Sequence, residues 1–437
     1  MAEGRAASDT ASGRARQRAF CIAAVEQGAD LGELRELLRT AGVAVVGQLV
    51  QHRDSPHPNS YVGPGKLVEV KAAARAADAN VIACDDELSA RQERNLEQEL
   101  GMPVVDRTTI ILDIFAGHAH SAEGKLQVEL AQLEYNMARM RGLWTHLERL
   151  GASAAQPGIG ARGPGESQIE TDRRLARNRI TALRRRLQGV VSSRAVMRAE
   201  RERAHLPQIA LAGYTNAGKS TLLNRLTGAQ AGVRDRLFHT LDPTTRTLRV
   251  NGRPYLLTDT VGFIRKLPHQ VVDAFAATLT ETREADLILH VVDASVEEAE
   301  TTEMLRAVDE VLDAVGAGER PRLLVLNKAD ALDAERRDEL AFAHPDGVLI
   351  SAATGEGLDE LGDRIEEEFR RTLRSVELLL PYADGASLAE LHGAAGDLER
   401  TDTPDGVLVR ARLPATLAER YSRFAVNGAG VDGDGVA

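Results

Sequence analysis

Eight consecutive residues, Gly213-Tyr-Thr-Asn-Ala-Gly-Lys-Ser220, have the types and order needed to hold a polyphosphate. They follow the apolar run Gln208–Ala212 and precede Thr221-Leu-Leu-Asn-Arg-Leu226, so their context is strand, glycine loop, helix. Gly213 and Gly218 let the chain turn. The loop amides, with Tyr214, Thr215, Asn216 and Ala217 among them, can then face inward as an anion cradle at a helix N-terminus. Lys219 would reach the β- and γ-phosphates, and Ser220 would ligate Mg2+. The chain has only six lysines yet keeps one here, where a compact ammonium suits a narrow pocket better than a planar guanidinium.

Further stretches would complete a guanine-nucleotide site in the same order along the chain. Asp259-Thr260-Val261-Gly262 follows the strand-like Tyr255-Leu-Leu-Thr258. Asp259 would hold Mg2+ through water, and the Gly262 N–H would meet the γ-phosphate. Asn327-Lys328-Ala329-Asp330 ends the apolar run Leu323–Leu326. Asp330 can accept from both N1–H and the 2-amino group of guanine, a charge-assisted pair that adenine cannot offer. Lys328 can lie along the purine face, and Asn327 can bond the base edge or pin the loops. The backbone of Ser351-Ala352-Ala353 suits the guanine O6.

A second hydroxyl for Mg2+ should lie in Phe238-His239-Thr240-Leu241-Asp242-Pro243-Thr244-Thr245-Arg246. Thr240 is the first choice, with Thr244 and Thr245 as rivals. Phe263 stands where many small GTPases carry a water-orienting glutamine. A phenyl ring cannot do that, so intrinsic hydrolysis is expected to be slow. Asn216 is a candidate ligand for K+, which could neutralise transition-state charge as an arginine finger does. The catalytic assignment therefore falls on Lys219, Asn216 and Gly262.

These loops need a sheet to hold them. Residues 205–373 alternate strand and helix, with strands expected at 208–212, 254–258, 286–292, 322–326 and 347–350. Helices are expected at 220–227, 269–284, 295–315 and 357–373, the third opened by a capping box of Ser295 and Glu298. That pattern predicts a doubly wound α/β domain with ligands at the strand C-terminal ends. Residues 20–122 predict a smaller α/β domain. Within it Tyr61-Val-Gly-Pro-Gly-Lys66 resembles a second phosphate loop, without the full spacing. Apolar residues at Leu126, Leu130, Leu133, Met137, Met140, Trp144 and Leu147, then at Ala176, Ile180, Leu183, Leu187 and Val190, form two heptad seams. They predict a long antiparallel helical hairpin over 123–204, joined by a glycine- and proline-rich loop at 156–168. Residues 374–426 predict a small α+β domain with strands near 376–380 and 407–413 and a helix around 388–398. Residues 1–19 and 427–437 are expected to be a disordered arm and tail.

The chain has 437 residues and a net charge of −11, which excludes a uniformly basic nucleic-acid binder. Between Asp172 and Arg203, however, eleven arginines stand against three acidic residues, a local footprint for nucleic acid. With Arg162 in the loop and Arg173, Arg174, Arg177 and Arg179 beyond it, a basic tip on a helical lever suits contact with folded RNA. Cys21 and Cys84 are too few for a disulfide framework or zinc cluster. No apolar run reaches the roughly 18 residues that span a bilayer. A cytoplasmic protein, at most peripheral to a membrane, is expected, and a monomer.

The chain resembles the HflX family of ribosome-associated GTPases, among the translation-factor-class P-loop GTPases. The likeness rests on Tyr61–Lys66, on Gly158-Ile-Gly-Ala-Arg-Gly-Pro-Gly-Glu-Ser-Gln-Ile-Glu-Thr-Asp172, on Gly213–Ser220, on Phe238-His-Thr-Leu-Asp-Pro-Thr-Thr245 and on Asp259-Thr-Val-Gly-Phe-Ile-Arg265. His239 stands where the family pattern has a small residue. The resemblance implies docking of the N-terminal half on the 50S subunit and its rRNA, with the glycine loop reaching toward the peptidyl-transferase region. It also implies ribosome-stimulated GTP hydrolysis and splitting of stalled ribosomes under stress, and it favours Thr240 as the magnesium threonine. An RNA-binding assembly factor whose hydrolysis times its release is the alternative.

Overall fold

The computed structural model describes residues 17–25, 30–152, 171, 173–190, 206–229, 237–238, 243–266, 279, 281–372, 374–394, 398–413 and 415–426. Strand β1 (Arg18–Val25) is buried continuously from Ala19 to Ala24, the pattern of a strand covered on both faces. It lies between β2 (Ala44–His52) and β3 (Val81–Cys84), with β4 (Val104–Asp106) beyond, and all four are parallel. Helices α1 (Gly32–Thr40), α2 (Pro64–Ala76), α3 (Ala90–Leu100) and α4 (Arg107–His118) cover the sheet. Cys21 and Ala23 face the layer of α1 and α4, whereas Phe20 and Ile22 face that of α2 and α3. Ser89 and Gln92 cap α3 reciprocally, and Asp106 caps α4.

Helix α5 (Ala122–Ala152) leaves this sheet, and its Tyr135 and Arg139 both bond the buried carboxylate of Asp106. Leu126, Leu130, Leu133 and Met137 pack against Ile180, Leu183 and Leu187 of a second helix, α6, over 173–190. Arg179–Glu129 and Arg184–Glu134 pairs flank this apolar seam. Arg174, Arg177, Arg185 and Arg186 are exposed. The side chains of Met140, Trp144 and Leu147 and the whole loop 156–168, with Arg162, lie outside the described residues.

The second sheet has the order β10-β9-β8-β5-β7-β6. Its strands are β5 (Gln208–Gly213), β6 (Thr244–Val250), β7 (Arg253–Asp259), β8 (Leu287–Asp293), β9 (Arg322–Asn327) and β10 (Val348–Leu349). The five others run parallel, while β6 pairs antiparallel with β7. Strand β6 carries no strand signal in sequence because Thr-Thr-Arg-Thr is a polar edge, with only Leu248 and Val250 buried. Helix α7 is Lys219–Thr227. The expected capping box is corrected: the helix expected from Ser295 begins at Glu298, with Glu297 as N-cap and no side-chain cap, because Ser295 bonds Asp293 instead. The helix expected at 269–284 falls mostly outside the described residues. In the third sheet β13 (Gly406–Leu413) lies between β11 (Arg374–Leu380) and β12 (Leu398–Thr403), all antiparallel. The helix expected to reach Leu398 ends at Ala394, and Leu398 instead starts β12.

Candidate nucleotide site

The phosphate loop joins β5 to α7 where the sheet order reverses, with β7 on one side of β5 and β8 on the other. This is where open α/β sheets place their ligands. Gly218, the N-cap of α7, has φ 96°, and a Cβ there would stand 2.2 Å from Asn327 Nδ2. Both the turn and the closeness of the neighbouring loop therefore require glycine. Asn216 is also left-handed, at φ 64°.

Lys219 is 6% exposed, and its Nζ donates to the carbonyls of Gly213 (2.9 Å) and Tyr214 (2.7 Å). Burial pulls its pKa down to about 8, against the opposing pull of Asp259. A cation desolvated to this degree gains from a bound anion, which is the fit expected for a phosphate. Ser220 Oγ donates to Asp259 Oδ2 at 2.5 Å. A hydroxyl and a carboxylate brought together beside that lysine are hard oxygen donors of the kind Mg2+ takes. Thr260 Oγ1 donates to the Leu211 carbonyl at 2.6 Å and ties the segment to β5.

Gly262 lies against the phosphate loop: a methyl group on it would be 2.8 Å from Thr215 Cγ2 and 3.1 Å from Lys219 Nζ. The Thr215 N–H donates to the Phe263 carbonyl (2.7 Å), and the Phe263 N–H donates to that of Gly213 (3.1 Å). The Phe263 ring is buried with Ala210, Ala212, Leu279 and Val308, so it packs rather than orients water. Of the candidate threonines, Thr245 Oγ1 bonds Thr258 Oγ1 across β6 and β7 at 3.0 Å, and Thr244 is opposite Asp259 in the register. His239, Thr240, Leu241 and Asp242 lie outside the described residues. Phe238 and Val261 are both buried.

At the base end, Asn327 Nδ2 donates to the Ala217 carbonyl (2.8 Å), and its Oδ1 accepts from the Ala352 N–H (2.9 Å). One amide thus fastens three loops together. Asp330 Oδ1 accepts from Ser351 Oγ at 2.5 Å, and the Ala329 N–H donates to the Ile350 carbonyl. Ala353 is exposed in the loop that follows. Three further supports belong to none of the sequence motifs. Asp293 pairs with Lys328, Arg337 donates to the Ala329 carbonyl, and Arg225 donates to that of Thr354. The available signal for Asp293 was an acidic residue closing the apolar strand β8, in register with Asn327.

The γ-phosphate end is fastened differently, to the first sheet and its helices. Tyr214 of the phosphate loop donates its hydroxyl proton to Glu33 and accepts from the Arg265 N–H at 2.8 Å. Arg107, 2% exposed, pairs with Glu33 and with Asp85 (2.9 Å) and donates to the Arg265 carbonyl (3.0 Å). Burial lowers the Arg107 pKa only to about 10, so it keeps its charge at neutral pH. Lys266 pairs with Asp85 and Asp86. Phe238 stacks edge-on against Phe115 at 4.6 Å, and its carbonyl accepts from His118 Nδ1 at 2.9 Å. The pairs that cross between the two sheets lie more than a hundred residues apart, and no local pattern announces them. Tyr61–Lys66 opens α2: the Gly63 N–H donates to Gln51, Lys66 bonds Glu69, and the Tyr61 hydroxyl bonds Asp86.

Residues 28–116 match the family described as GTP-binding GTPase N-terminal, residues 118–201 the GTP-binding GTPase Middle Region, and residues 208–328 the 50S ribosome-binding GTPase. A curated protein of Lacrimispora saccharolytica named GTPase HflX is 46% identical over 401 residues, spanning 90% of this chain and 92% of its own length. The GTPase HflX of Escherichia coli is 44% identical over 389 residues, spanning 88% of this chain and 90% of its own. Among solved structures, a GTP-binding protein from Sulfolobus solfataricus in complex with GDP is 27% identical, with a TM-score of 0.41, covering 81% of this chain and 99% of that one.

Proposed function

The chain belongs to the HflX family of GTPases and is a GTP hydrolase, and on that premise we propose that it works on the large ribosomal subunit, with GTP hydrolysis at Gly213–Ser220 coupled to splitting of stalled or stressed ribosomes. The observation that carries the reading is the attachment of both nucleotide-responsive segments, Phe238 and Gly262–Lys266, to the sheet from which the basic helical arm extends. The match to a 50S ribosome-binding GTPase supports it, as does the exposed arginine face of α6.

In this reading Lys219 and the loop amides hold the β- and γ-phosphates, Gly262 meets the γ-phosphate, and Asp330 selects guanine. Ser220, Asp259 and Thr240 are the proposed ligands of Mg2+, which would supply charge neutralisation at the bridging oxygens. Phe263 cannot align the attacking water, so turnover awaits a group supplied by the ribosome or by K+ held at Asn216. The arm would engage rRNA by phosphate contact, and its binding would weaken steeply with salt.

The test is steady-state GTPase activity with and without purified 50S subunits, in KCl and again in NaCl. Strong stimulation by 50S is expected. Stimulation by K+ alone would place the missing catalytic group within the protein. Turnover indifferent to 50S subunits would overturn the ribosomal reading and leave the GTPase assignment standing.

A further inference from the structure

Lys328 has an unusual backbone for a long side chain. Its φ is 70°, left-handed, immediately after β9 ends at Asn327. That turn directs its stem toward β8, where Nζ meets Asp293 Oδ2 at 2.5 Å. Asp293 is held in turn. Its other oxygen, Oδ1, accepts from the Ser295 N–H (3.0 Å) and from Ser295 Oγ (2.6 Å). Its backbone is fixed by the pairing of Asp293 with Asn327, and the Ala294 N–H donates to the Asn327 carbonyl at 2.9 Å. Both carboxylate oxygens are therefore committed, and the side chain is only 14% exposed, against 32% for Lys328.

We propose that Asp293 is a positioning residue for purine binding: by anchoring Nζ, it lays the Lys328 stem flat as a preformed platform for the face of the base. A free lysine has four rotatable bonds and would lose that freedom on every binding event. Anchored beforehand, the stem is ordered in the free protein, and the cost is removed from nucleotide affinity. A platform contacts the face of the purine and not its edge. Asp293 therefore contributes affinity without discriminating between bases, whereas Asp330 discriminates at the edge. The inference rests on the assignment of Asn327–Asp330 to the base.

The test is calorimetric titration of the full-length chain with GDP and with inosine diphosphate, alongside the kcat and KM of GTP turnover. Asp293→Asn is expected to weaken both diphosphates by the same factor, roughly tenfold. KM should rise while kcat stays unchanged. Ser295→Ala, which keeps the Lys328 pair, should have a much smaller effect. The double variant Asp293→Asn with Lys328→Met should bind no more weakly than Lys328→Met alone, because Asp293 acts only through Lys328. Penalties that add would show a general structural role and overturn the proposal. So would unchanged or tighter binding by Asp293→Asn, since removing the acid would then have freed a cation for the phosphates. If Lys328→Met itself leaves GDP affinity intact, the base assignment fails and the proposal with it. If only Asp293→Asn is silent, the base assignment stands.

Discussion

The two ends of the candidate site are built on opposite plans. At the base end every support named comes from the second sheet or from the loops and helices joined to it: Asn327 to Ala217 and Ala352, Asp330 to Ser351, Lys328 to Asp293, Arg337 to Ala329. At the γ-phosphate end the supports cross to another sheet: Tyr214 to Glu33, Arg265 to Arg107, Lys266 to Asp85 and Asp86, Phe238 to His118. Under the proposed assignment, the identity of the nucleotide would be checked by parts that need not move. Its phosphorylation state would be sensed by parts whose movement must disturb a neighbour, and a ligand can shift an equilibrium only through such differential contacts.

If that division is right, variants at the two ends should fail in different ways. The largest effect is expected from Lys219→Ala, which removes the buried cation that bonds the loop carbonyls of Gly213 and Tyr214 and that is proposed to hold the phosphates. Turnover should fall by about a thousandfold or more, with the thermal midpoint of the free protein largely kept. Unchanged GTPase activity would sink the phosphate assignment. Next comes Asp330→Asn, which should cost GTP roughly a hundredfold or more in affinity while xanthosine triphosphate gains, because the donor and acceptor pattern at the base edge is reversed. A competition titration measures this, and retained GTP preference would contradict the base end as described.

The residues that the structure brings together at the proposed base end were largely legible in sequence because they lie in short motifs at strand ends. Asn327–Asp330 and Ser351–Ala353 could be named from strand, loop and spacing alone. What was illegible there is the support from Asp293, whose partner is 35 positions away and visible only once β8 and β9 are neighbours. The phosphate end divides in the same manner. The loop and Asp259–Gly262 were readable, yet Glu33, Asp85 and Arg107 carry no motif, and their roles arise from the packing of two sheets. Secondary structure failed where polarity hid the pattern, at β6 and β12, both edge strands. Ser295 was misread because a hydroxyl three residues before a glutamate fits a capping box equally well, and the competition was decided by Asp293.

Arg107 probes the crossing contacts. Arg107→Leu would take from Glu33 and Asp85 the buried cation that they share, leaving each only a more exposed partner, Arg265 or Lys266. Breaking a buried pair from one side costs about 3 kcal/mol or more, so urea unfolding should show that loss. The GDP-to-inosine-diphosphate affinity ratio, set at the other end, should stay unchanged. A shifted ratio would mean that the two ends are not independent.

Lys266→Gln is the smallest and most discriminating change. Lys266 bonds the same Asp85 from the solvent side and is half exposed, and Arg107 remains to neutralise the acid. A partly exposed pair of this kind is worth under about 1 kcal/mol. Its contribution should shrink in high salt, because solvent ions screen it within a Debye length of about 10 Å at 0.1 M. Unfolding of the wild type and of Lys266→Gln, each at low and high NaCl, measures this: the difference between the two proteins should be small at low salt and nearly gone at high salt. Arg107→Leu should keep its full deficit in both, since its charges are sealed from solvent. If the Lys266→Gln deficit instead equals that of Arg107→Leu and ignores salt, the crossing contacts form one sealed unit. The surface lysine would then be as much a part of the joint between the sheets as the buried arginine.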